Sequence, residues 1–422
     1  MGNVKIRVAL YVVMLAASSM VSAADFGERR NLTATEQACR EAAGFDSAGV
    51  VRNDPDSEAV ELCEQAVARG HPDVQAFLGR AYYRAERYLD ARRVIEAADM
   101  AGSDVGTVLL GVLYEHGYGL DEDATRAVQL YRQAADRGHP GGQVNLGMMY
   151  VNGRGVEQDN ALAVEWFRKA AEQENASGQV YLGWMYANGH GVEQDDAVAV
   201  EWFRKAAEQE DASGQVHLGL MYAEGRGVEQ DDARAVEWYR KAADQEDASG
   251  QFHLGLMYAE GRGVEQDDAQ AVEWYRKAAE QGQDNAQSNL GLMYAEGRGV
   301  EQDDAQAVEW YRKAVEQNNA QGQNNLGLMY DKGRGVERDD AQAVEWYRKA
   351  VEQNNAQGQS NLGLMYAEGR GVEQDDAQAV EWYRKAAEQN NAQGQSNLGL
   401  MYDKGRGVEQ DDAQAVEWYR KA

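Results

Sequence analysis

Residues 319–354 read NAQGQNNLGLMYDKGRGVERDDAQAVEWYRKAVEQN, and this stretch decides the fold because the chain repeats it with a period of 36 residues. A tryptophan recurs at Trp166, Trp202, Trp238, Trp274, Trp310, Trp346, Trp382 and Trp418. A Leu-Gly pair recurs with the same period, and its leucines are Leu146, Leu182, Leu218, Leu254, Leu290, Leu326, Leu362 and Leu398. A constant period predicts a solenoid, in which every unit buries its apolar side against its neighbours.

The first half of the unit predicts a helix over about residues 320–330, because Leu326 and Tyr330 follow the spacing of one helical face. Gly327 costs that helix about 1 kcal/mol relative to Ala. Its recurrence in every unit therefore indicates that another helix approaches closely there. Gly333 suits the left-handed residue that ends a helix.

The second half predicts a helix that begins at Asp339, because Gln342 follows three residues later in a capping-box arrangement. An apolar stripe then runs through Ala343, Val344, Tyr347, Ala350 and Val351. No segment alternates with period two, so no sheet is predicted. The fold class is therefore all-α, and we expect a right-handed α-solenoid of helix-turn-helix repeats whose Trp and Tyr side chains belong to the core between repeats.

The unit resembles the Sel1-like repeats, which are relatives of the tetratricopeptide repeat, and the chain looks like an exported bacterial member of that family. The matching residues are Leu326-Gly327, Tyr330, Gly333-x-Gly335-Val336, Asp339, Ala343 and Trp346-Tyr347-x-Lys349-Ala350. The resemblance covers residues from about Asp104 to the end. It implies binding of other proteins, as an adaptor in signalling, membrane-protein handling, or bacterial secretion and host contact.

The sequence divides into four predicted segments: a signal peptide over 1–23, a helical pair over 24–70, a degenerate tetratricopeptide-like repeat over 71–103, and the Sel1-like array over 104–422. The signal peptide is indicated by Lys5 and Arg7 before an apolar run, and by small residues that end at Ala23. That run is too short to span a membrane. We therefore expect the mature chain to be exported, and to be periplasmic or secreted, with no membrane span.

Cys39 and Cys63 are the only cysteines, and each lies near the middle of a predicted helix of the second segment. A disulfide is the favoured interpretation for an oxidising compartment. Two buried free thiols are the alternative. A metal site is not expected, because no histidine lies near them in the sequence.

The chain is strongly acidic, with 71 Asp and Glu against 42 Lys and Arg and a formal net charge of −29. Such a surface repels nucleic acid and anionic lipid headgroups. A protein or peptide is the expected partner, and a basic one fits the charge. Much of the acidity also has a local reason, since the recurring Asp-Asp pair caps a helix.

No catalytic motif is found, so we predict no enzyme activity and no cofactor. Cys-rich relatives discussed as β-lactam-acting proteins carry a cysteine pair in each repeat, whereas this chain has no cysteine after Cys63. His217 and His253 share one position in adjacent repeats, but two ligands without a third make a poor zinc site. No metal is therefore expected.

The remaining candidate site is a surface of the first helices, which usually line the concave side of such arrays. The predicted partner-binding residues are Gln179, Tyr181, Gln215, His217, Gln251 and His253. Tyr181, His217 and His253 are expected to face solvent, because this place varies between repeats in the amino-terminal half and is uniformly Asn in the carboxy-terminal half.

Three functions follow, of which an exported protein-binding scaffold is preferred. A structural spacer rod is the alternative, favoured by the near-identical repeats after Asp284, and a cell-wall or β-lactam-acting enzyme is the third. The last repeat is incomplete, because Ala422 ends the sequence within a second helix. We expect that the chain is a fragment of a longer protein, or that Val416 and Tyr419 support weak self-association through this end.

Overall fold

The computed structural model describes residues 34–43, 56–67 and 72–422. Within these residues the chain forms 22 helices and no strand, so the predicted all-α solenoid fold is confirmed. The predicted signal peptide lies outside the described residues. So do residues 44–55, between the first two helices.

The chain divides into two compact units, of which the first ends at Gln245 and the second begins at Glu246. The helices of the first unit are α1 Ala34–Ala42, α2 Asp56–Val67, α3 Pro72–Arg84, α4 Tyr88–Met100, α5 Asp104–His116, α6 Ala124–Asp136, α7 Pro140–Asn152, α8 Asn160–Glu172, α9 Ala176–Asn188, α10 Asp196–Glu208, α11 Ala212–Glu224 and α12 Asp232–Asp244. Those of the second are α13 Ala248–Glu260, α14 Asp268–Glu280, α15 Asp284–Glu296, α16 Asp304–Glu316, α17 Ala320–Lys332, α18 Asp340–Glu352, α19 Ala356–Glu368, α20 Asp376–Glu388, α21 Ala392–Lys404 and α22 Asp412–Lys421.

From α3 onwards, odd-numbered helices are called A helices and even-numbered ones B helices. Within each unit, a B helix packs against the A helix of its own repeat and against the A helix of the next. This alternation places each B helix, except the last one of a unit, between two A helices, and one face of each A helix points away from the B helices.

The ends of the helices follow from local hydrogen bonds. Asp339 caps α18, because its carboxylate accepts from the backbone N–H groups of Ala341 and Gln342 at 3.0 Å each. Gln342 does not complete the predicted capping box by reaching back to Asp339, since the Asp339 N–H already donates to Tyr330 O at 3.0 Å. Gly333 ends α17 with φ 64° and donates to Met329 O, as predicted.

The close approach predicted at Gly327 is confirmed. A Cβ placed on Gly327 would lie 2.8 Å from Cε1 of Tyr347, whose side chain is 1% exposed. Gly335 is held by the preceding repeat, because a Cβ there would lie 2.1 Å from Asp304 O. The missing side chain of Gly327 leaves room for the Tyr347 ring, and that of Gly335 leaves room for the backbone of the neighbouring B helix.

The aromatic series predicted as core divides into two layers. The Tyr or Phe that follows the recurring Trp is buried, as at Phe167, Tyr239 and Tyr347, except for Tyr419 in the last repeat, which is exposed. Most of the tryptophans are only half-buried, and a lysine three residues later covers the ring, as Lys349 Nζ does 4.0 Å from the Trp346 ring centroid. Trp310 is the buried exception in this series. The prediction of a core position is therefore right for the Tyr series and too simple for Trp.

Cys39 on α1 and Cys63 on α2 are joined by a disulfide with an S–S distance of 2.08 Å, and both residues are fully buried. The bond ties α1 to α2. At the other end of the sequence, the side chains of Val416 and Tyr419 on α22 are exposed.

Candidate partner-binding surface

The three glutamines predicted as partner-binding residues are buried, which corrects the expectation that they line an exposed stripe. Gln179, Gln215 and Gln251 are only 2–3% exposed. Gln179 Oε1 accepts from Gln209 Nε2 at 2.8 Å, while Gln179 Nε2 donates to Ala171 O at 3.4 Å. The side chain thus links its A helix to the ends of two B helices, one on either side. A buried amide with satisfied partners is a structural element rather than a ligand contact.

Gln215 repeats both bonds, with its Nε2 donating to Ala207 O at 3.5 Å, and Gln251 repeats the bond to the end of its own repeat. Gln215 accepts from Gln245 at 2.9 Å, and Gln251 accepts from Gln281 at 2.9 Å. The partner glutamine in each pair is the residue that ends the B helix of the same repeat. A polar residue at helical spacing reads as exposed in a sequence, which is why the prediction failed.

Tyr181, His217 and His253 are half-buried rather than freely exposed, which corrects the second part of the same expectation. Tyr181 stacks on Phe167 with ring centroids 5.2 Å apart, and His217 stacks on Phe203 at 4.9 Å. The imidazole Nδ1 of His217 lies 2.8 Å from Ser213 O. Desolvation lowers the pKa of His217, so burial favours the neutral ring.

Beside these residues runs an apolar stripe that the sequence analysis missed. It begins on α7 and has one half-buried side chain on each A helix from there, at Met148, Trp184 and Leu220 in the first unit and at Leu256, Leu292, Leu328 and Leu364 in the second, and it continues to the exposed Leu400. Each lies three residues after the position of Tyr181 or its equivalents, hence on the same helix face. The stripe and those equivalents together are called the A surface. The sequence did contain a signal for this stripe, because the second Leu of the recurring Leu-Gly-Leu-Met-Tyr occupies the stripe position.

In the second unit the polar side of the A surface is a network of amides. Gln321 Nε2 donates to Asn325 Oδ1 at 2.9 Å, and Asn361 Nδ2 donates to Asn324 Oδ1 at 2.9 Å. Because the second of these bonds joins two repeats, the amides are fixed before any partner arrives. Fixed polar groups beside apolar ones are typical of binding sites that are formed in advance.

The repeats are fastened to each other by loop arginines. Arg334 donates to both carboxylate oxygens of Asp304, at 2.6 Å and 3.1 Å, and also to Ala295 O. Hydrogen bonding from Arg334 holds the pKa of Asp304 below its usual value. Equivalent pairs are Arg226–Asp196, Arg298–Asp268 and Arg406–Asp376. This contact is called the arginine lock, and it connects each loop to the start of the preceding B helix.

At the same loop position, Arg154 and Arg370 have different partners, and Arg154 pairs with Glu115 and Glu122. Arg370 bonds to Asp331, which occupies a place where the neighbouring A helices carry Ala, and lies 3.7 Å from Asp340. Asp340 is instead bound by Arg338 at 3.2 Å. Arg370 thus pairs with Asp331 and Arg338 pairs with Asp340, so all four charged side chains have a partner.

Within residues 34–43, 56–67 and 72–422, no group of three or more His, Cys, Asp or Glu side chains is arranged to hold a metal ion. In the same part of the chain, no helix is long and apolar enough to cross a membrane.

The Sel1 repeat family model matches this sequence over ten segments: 37–71, 106–139, 140–175, 176–211, 212–247, 248–283, 284–319, 320–355, 356–391 and 392–422. The chain belongs to the Sel1-repeat family. The first segment shows that the cysteine-containing helices are themselves a Sel1 repeat, which the sequence analysis had placed outside the array. Solenoids of this family typically act as protein-interaction scaffolds and are typically not enzymes.

Two solved structures illustrate the similarity. A protective antigen of uropathogenic Escherichia coli with a Sel1-like repeat fold is 37% identical, with a TM-score of 0.50, and the alignment covers 86% of each chain. A Sel1 repeat protein from Oxalobacter formigenes is also 37% identical, with a TM-score of 0.47, over 69% of this chain and 85% of that one. No protein with a curated description is a significant match.

Proposed function

We propose that this Sel1-repeat protein is an exported scaffold that holds a protein or peptide partner on its A surface. The observation that carries the proposal is the half-buried apolar stripe, one side chain per repeat, on the helix face that the B helices leave uncovered. Polar groups at Asn145, His217 and Asn361 stand beside it. An apolar stripe with ordered polar neighbours is suited to a polypeptide, which offers both apolar side chains and backbone hydrogen-bonding groups.

The rigidity of the repeats supports the same proposal. Arginine locks and buried glutamines fix each A helix against its neighbours, so little order has to be created when a partner binds. Of the residues predicted from the sequence, Tyr181, His217 and His253 remain proposed contacts, because each has part of its surface open. Gln179, Gln215 and Gln251 support them from beneath.

Site-specific photocrosslinking tests this proposal. A photoreactive phenylalanine analogue replaces Leu328 on the A surface, and in a matched variant it replaces Glu345 on the exposed side of a B helix. Each full chain is produced in the source cell, and the adducts are identified by mass spectrometry. We expect one reproducible protein adduct from position 328 and none from position 345. The same adducts from both positions, or none from position 328, would contradict the proposal.

The spacer rod is the second candidate, because the units that follow Asp284 are nearly identical to one another. A rod requires length rather than a specific surface. The two functions are separated by deleting residues 320–355, which removes one complete period. A scaffold whose binding site lies in another repeat still binds its partner after this deletion. The function of a rod would change, because it depends on the number of repeats.

Export is part of the proposal and has its own measurement. The bonded sulfurs of Cys39 and Cys63 are compatible with an oxidising compartment, and closing the loop of 24 residues contributes about 3 kcal/mol in the chain-entropy model. Mass spectrometry under non-reducing conditions, on protein isolated from cell fractions, should find the oxidised pair outside the cytoplasm. Two free thiols in cytoplasmic protein would contradict export.

A further inference from the structure

The repeat over 176–211 departs from its neighbours at the loop position of the arginine lock. That position holds Arg154, Arg226, Arg262, Arg298, Arg334, Arg370 and Arg406 in the other repeats of the same length, but His190 in this one. The aspartate that the lock would bind is replaced as well. Asn160 begins α8 where Asp196, Asp304 and Asp376 begin later B helices. Both halves of the lock are therefore absent here.

His190 has taken a different contact. Its imidazole lies parallel to the indole of Trp184, with ring centroids 5.0 Å apart and an interplanar angle of 7°. No hydrogen bond or ion pair of this imidazole is found among the described residues, and His190 is exposed. By contrast, Arg226 in the next repeat donates to Asp196 at 2.7 Å and to Ala187 O at 2.6 Å.

Trp184 is itself exceptional, because the same place on the A surface holds Met148 in the preceding repeat and Leu220 in the following one. Its ring is half-buried, and Tyr181 lies three residues earlier on the same helix face. Tyr181 thus replaces the Asn or His of the neighbouring repeats, Trp184 replaces a Met or Leu, and His190 replaces the arginine of the loop. Partly exposed Trp and Tyr rings are among the side chains that contribute most at protein interfaces.

The repeat that carries these rings is also acidic. Residues 176–211 contain seven Asp and Glu and two Lys and Arg, which is the largest acidic excess among the matched repeats. Glu174 stands exposed in the turn before α9, and Glu210 in the turn after α10. Because the field of such a segment attracts cations and opposes anions, a basic segment is the occupant that fits.

We infer that Tyr181, Trp184 and His190 form a docking site for a basic segment of a partner protein. An aromatic or aliphatic side chain of that segment packs on the Trp184–His190 pair, and its Lys or Arg side chains lie among the carboxylates of the repeat. The inference rests on the proposed scaffold function and narrows it to one repeat and one chemical class of partner. It also explains why this repeat has given up an interaction that stabilises others, since binding sites commonly reduce stability.

The test uses the full chain and three fluorescein-labelled synthetic peptides of equal length. One carries Lys residues around a central Phe, the second replaces Phe by Gly, and the third replaces every Lys by Glu. Anisotropy titration gives the dissociation constants. We expect the Lys–Phe peptide to bind at least about tenfold more tightly than either of the others, which is a difference of about 1.4 kcal/mol.

The variants take their residues from the neighbouring repeats. N160D/H190R restores the arginine lock, W184L restores the usual leucine, and the triple variant does both. We expect the triple variant to weaken the Lys–Phe peptide about tenfold and to unfold at a higher temperature, a combination that simple damage to the fold would not produce. Leu89→Ala, an exposed leucine on the B helix α4 and outside the A surface, is the control and should leave the dissociation constant unchanged within about twofold.

The inference is overturned if the Lys–Phe peptide shows no saturable binding, if the Glu peptide binds equally well, or if the triple variant binds unchanged. It is also overturned if Leu89→Ala weakens binding as much as the triple variant does. In each case the crosslinking result at position 328 is unaffected, so failure of this site and failure of the scaffold function remain distinguishable.

Discussion

The turns from a B helix to the next A helix contain a glutamate in a backbone conformation that L-residues disfavour. Glu174 and Glu210 have φ of 60° and 64°, whereas the same place holds Asn318, Asn354 and Asn390 in later repeats. Asn tolerates this left-handed region far better than Glu does. Neither glutamate makes a side-chain hydrogen bond or ion pair within the described residues that would offset the strain. Replacing both by Asn should therefore stabilise the fold.

The expected size follows from the enrichment of Asn in left-handed positions. A several-fold preference corresponds to about 0.5–1 kcal/mol per site. The sites belong to different repeats, so their effects should add, and E174N/E210N should gain about 1–2 kcal/mol. Urea unfolding followed by circular dichroism measures the shift of the midpoint, and native-state hydrogen exchange of α9 and α11 locates the gain if unfolding of the array is not two-state.

Two controls separate strain from charge. E174Q/E210Q removes the same two charges but keeps a side chain without the preference of Asn, so it should gain much less. Asn390→Glu, at a position where no side-chain hydrogen bond of Asn390 is found in the described residues, introduces the strain and should cost about 0.5–1 kcal/mol. If the Gln pair stabilises as much as the Asn pair, repulsion between acidic residues is the cause and the backbone argument is wrong.

Three further predictions concern the locks, the core and a buried titratable ring. Arg334→Ala should lower the free energy of unfolding by about 1–2 kcal/mol, because it removes the charge-assisted bonds to Asp304. Arg334→Lys should lose less than Arg334→Ala does. The control is Arg338→Gln, which introduces the residue of the neighbouring repeats and should change the stability little. The pKa of Asp304 is lowered in the folded state, so the lock stabilises the fold above the unfolded pKa near 4, and this stability is lost as the pH falls. The free energies of unfolding of Arg334→Ala and of the parent chain, measured with urea, should therefore become equal on acidification. A difference that persists at low pH would refute the role of the Arg334–Asp304 pair. Gly327→Ala should cost about 1–3 kcal/mol through its clash with Tyr347, measured by thermal unfolding, and an unchanged midpoint would mean that the ring moves aside freely. The folded pKa of His217 lies below the unfolded value of about 6.5, so the stability contributed by the neutral ring is present above that pH and is lost as the pH falls below it. NMR titration should find the lowered pKa. His217→Asn, which introduces the residue of later repeats, should remove this dependence of the free energy of unfolding on pH.

The helices and their ends were predictable from the sequence because they depend on neighbours along the chain. The cap at Asp339 and the helix stop at Gly333 use bonds that span only a few residues, and both were recognised from residue type and spacing. The close contact at Gly327 was also readable, since a residue so poor for a helix recurs only where a side chain leaves no room. The repeat period then implied how the hairpins stack.

The candidate site was predictable only in part. The variation at Tyr181 and His217 drew attention to the helix face that carries the A surface, but the buried Gln179 was taken for a surface residue and the apolar stripe at Leu328 was not recognised. Which polar residue is buried depends on helices that are distant in the sequence. Periodicity gives the direction of a side chain, but it does not show which neighbour covers it.

The glutamines of the second unit show where the tertiary structure decided the outcome. Gln287 Nε2 donates to Ala279 O at 3.1 Å, but Gln323 Nε2 donates to Asn318 Oδ1 at 2.8 Å instead. Val315 replaces the alanine at the end of that B helix, and a Cβ placed on Gly322 would lie 3.7 Å from Ala314 C, against 3.2 Å for Gly394 and Ala386 C. The sequence by itself determined the repeat, the helices and their caps, because these depend on short-range bonds. The tertiary structure decided the partners of each buried amide, because two added methyl groups shift a whole helix by a few tenths of an ångström and a hydrogen bond does not tolerate the added distance.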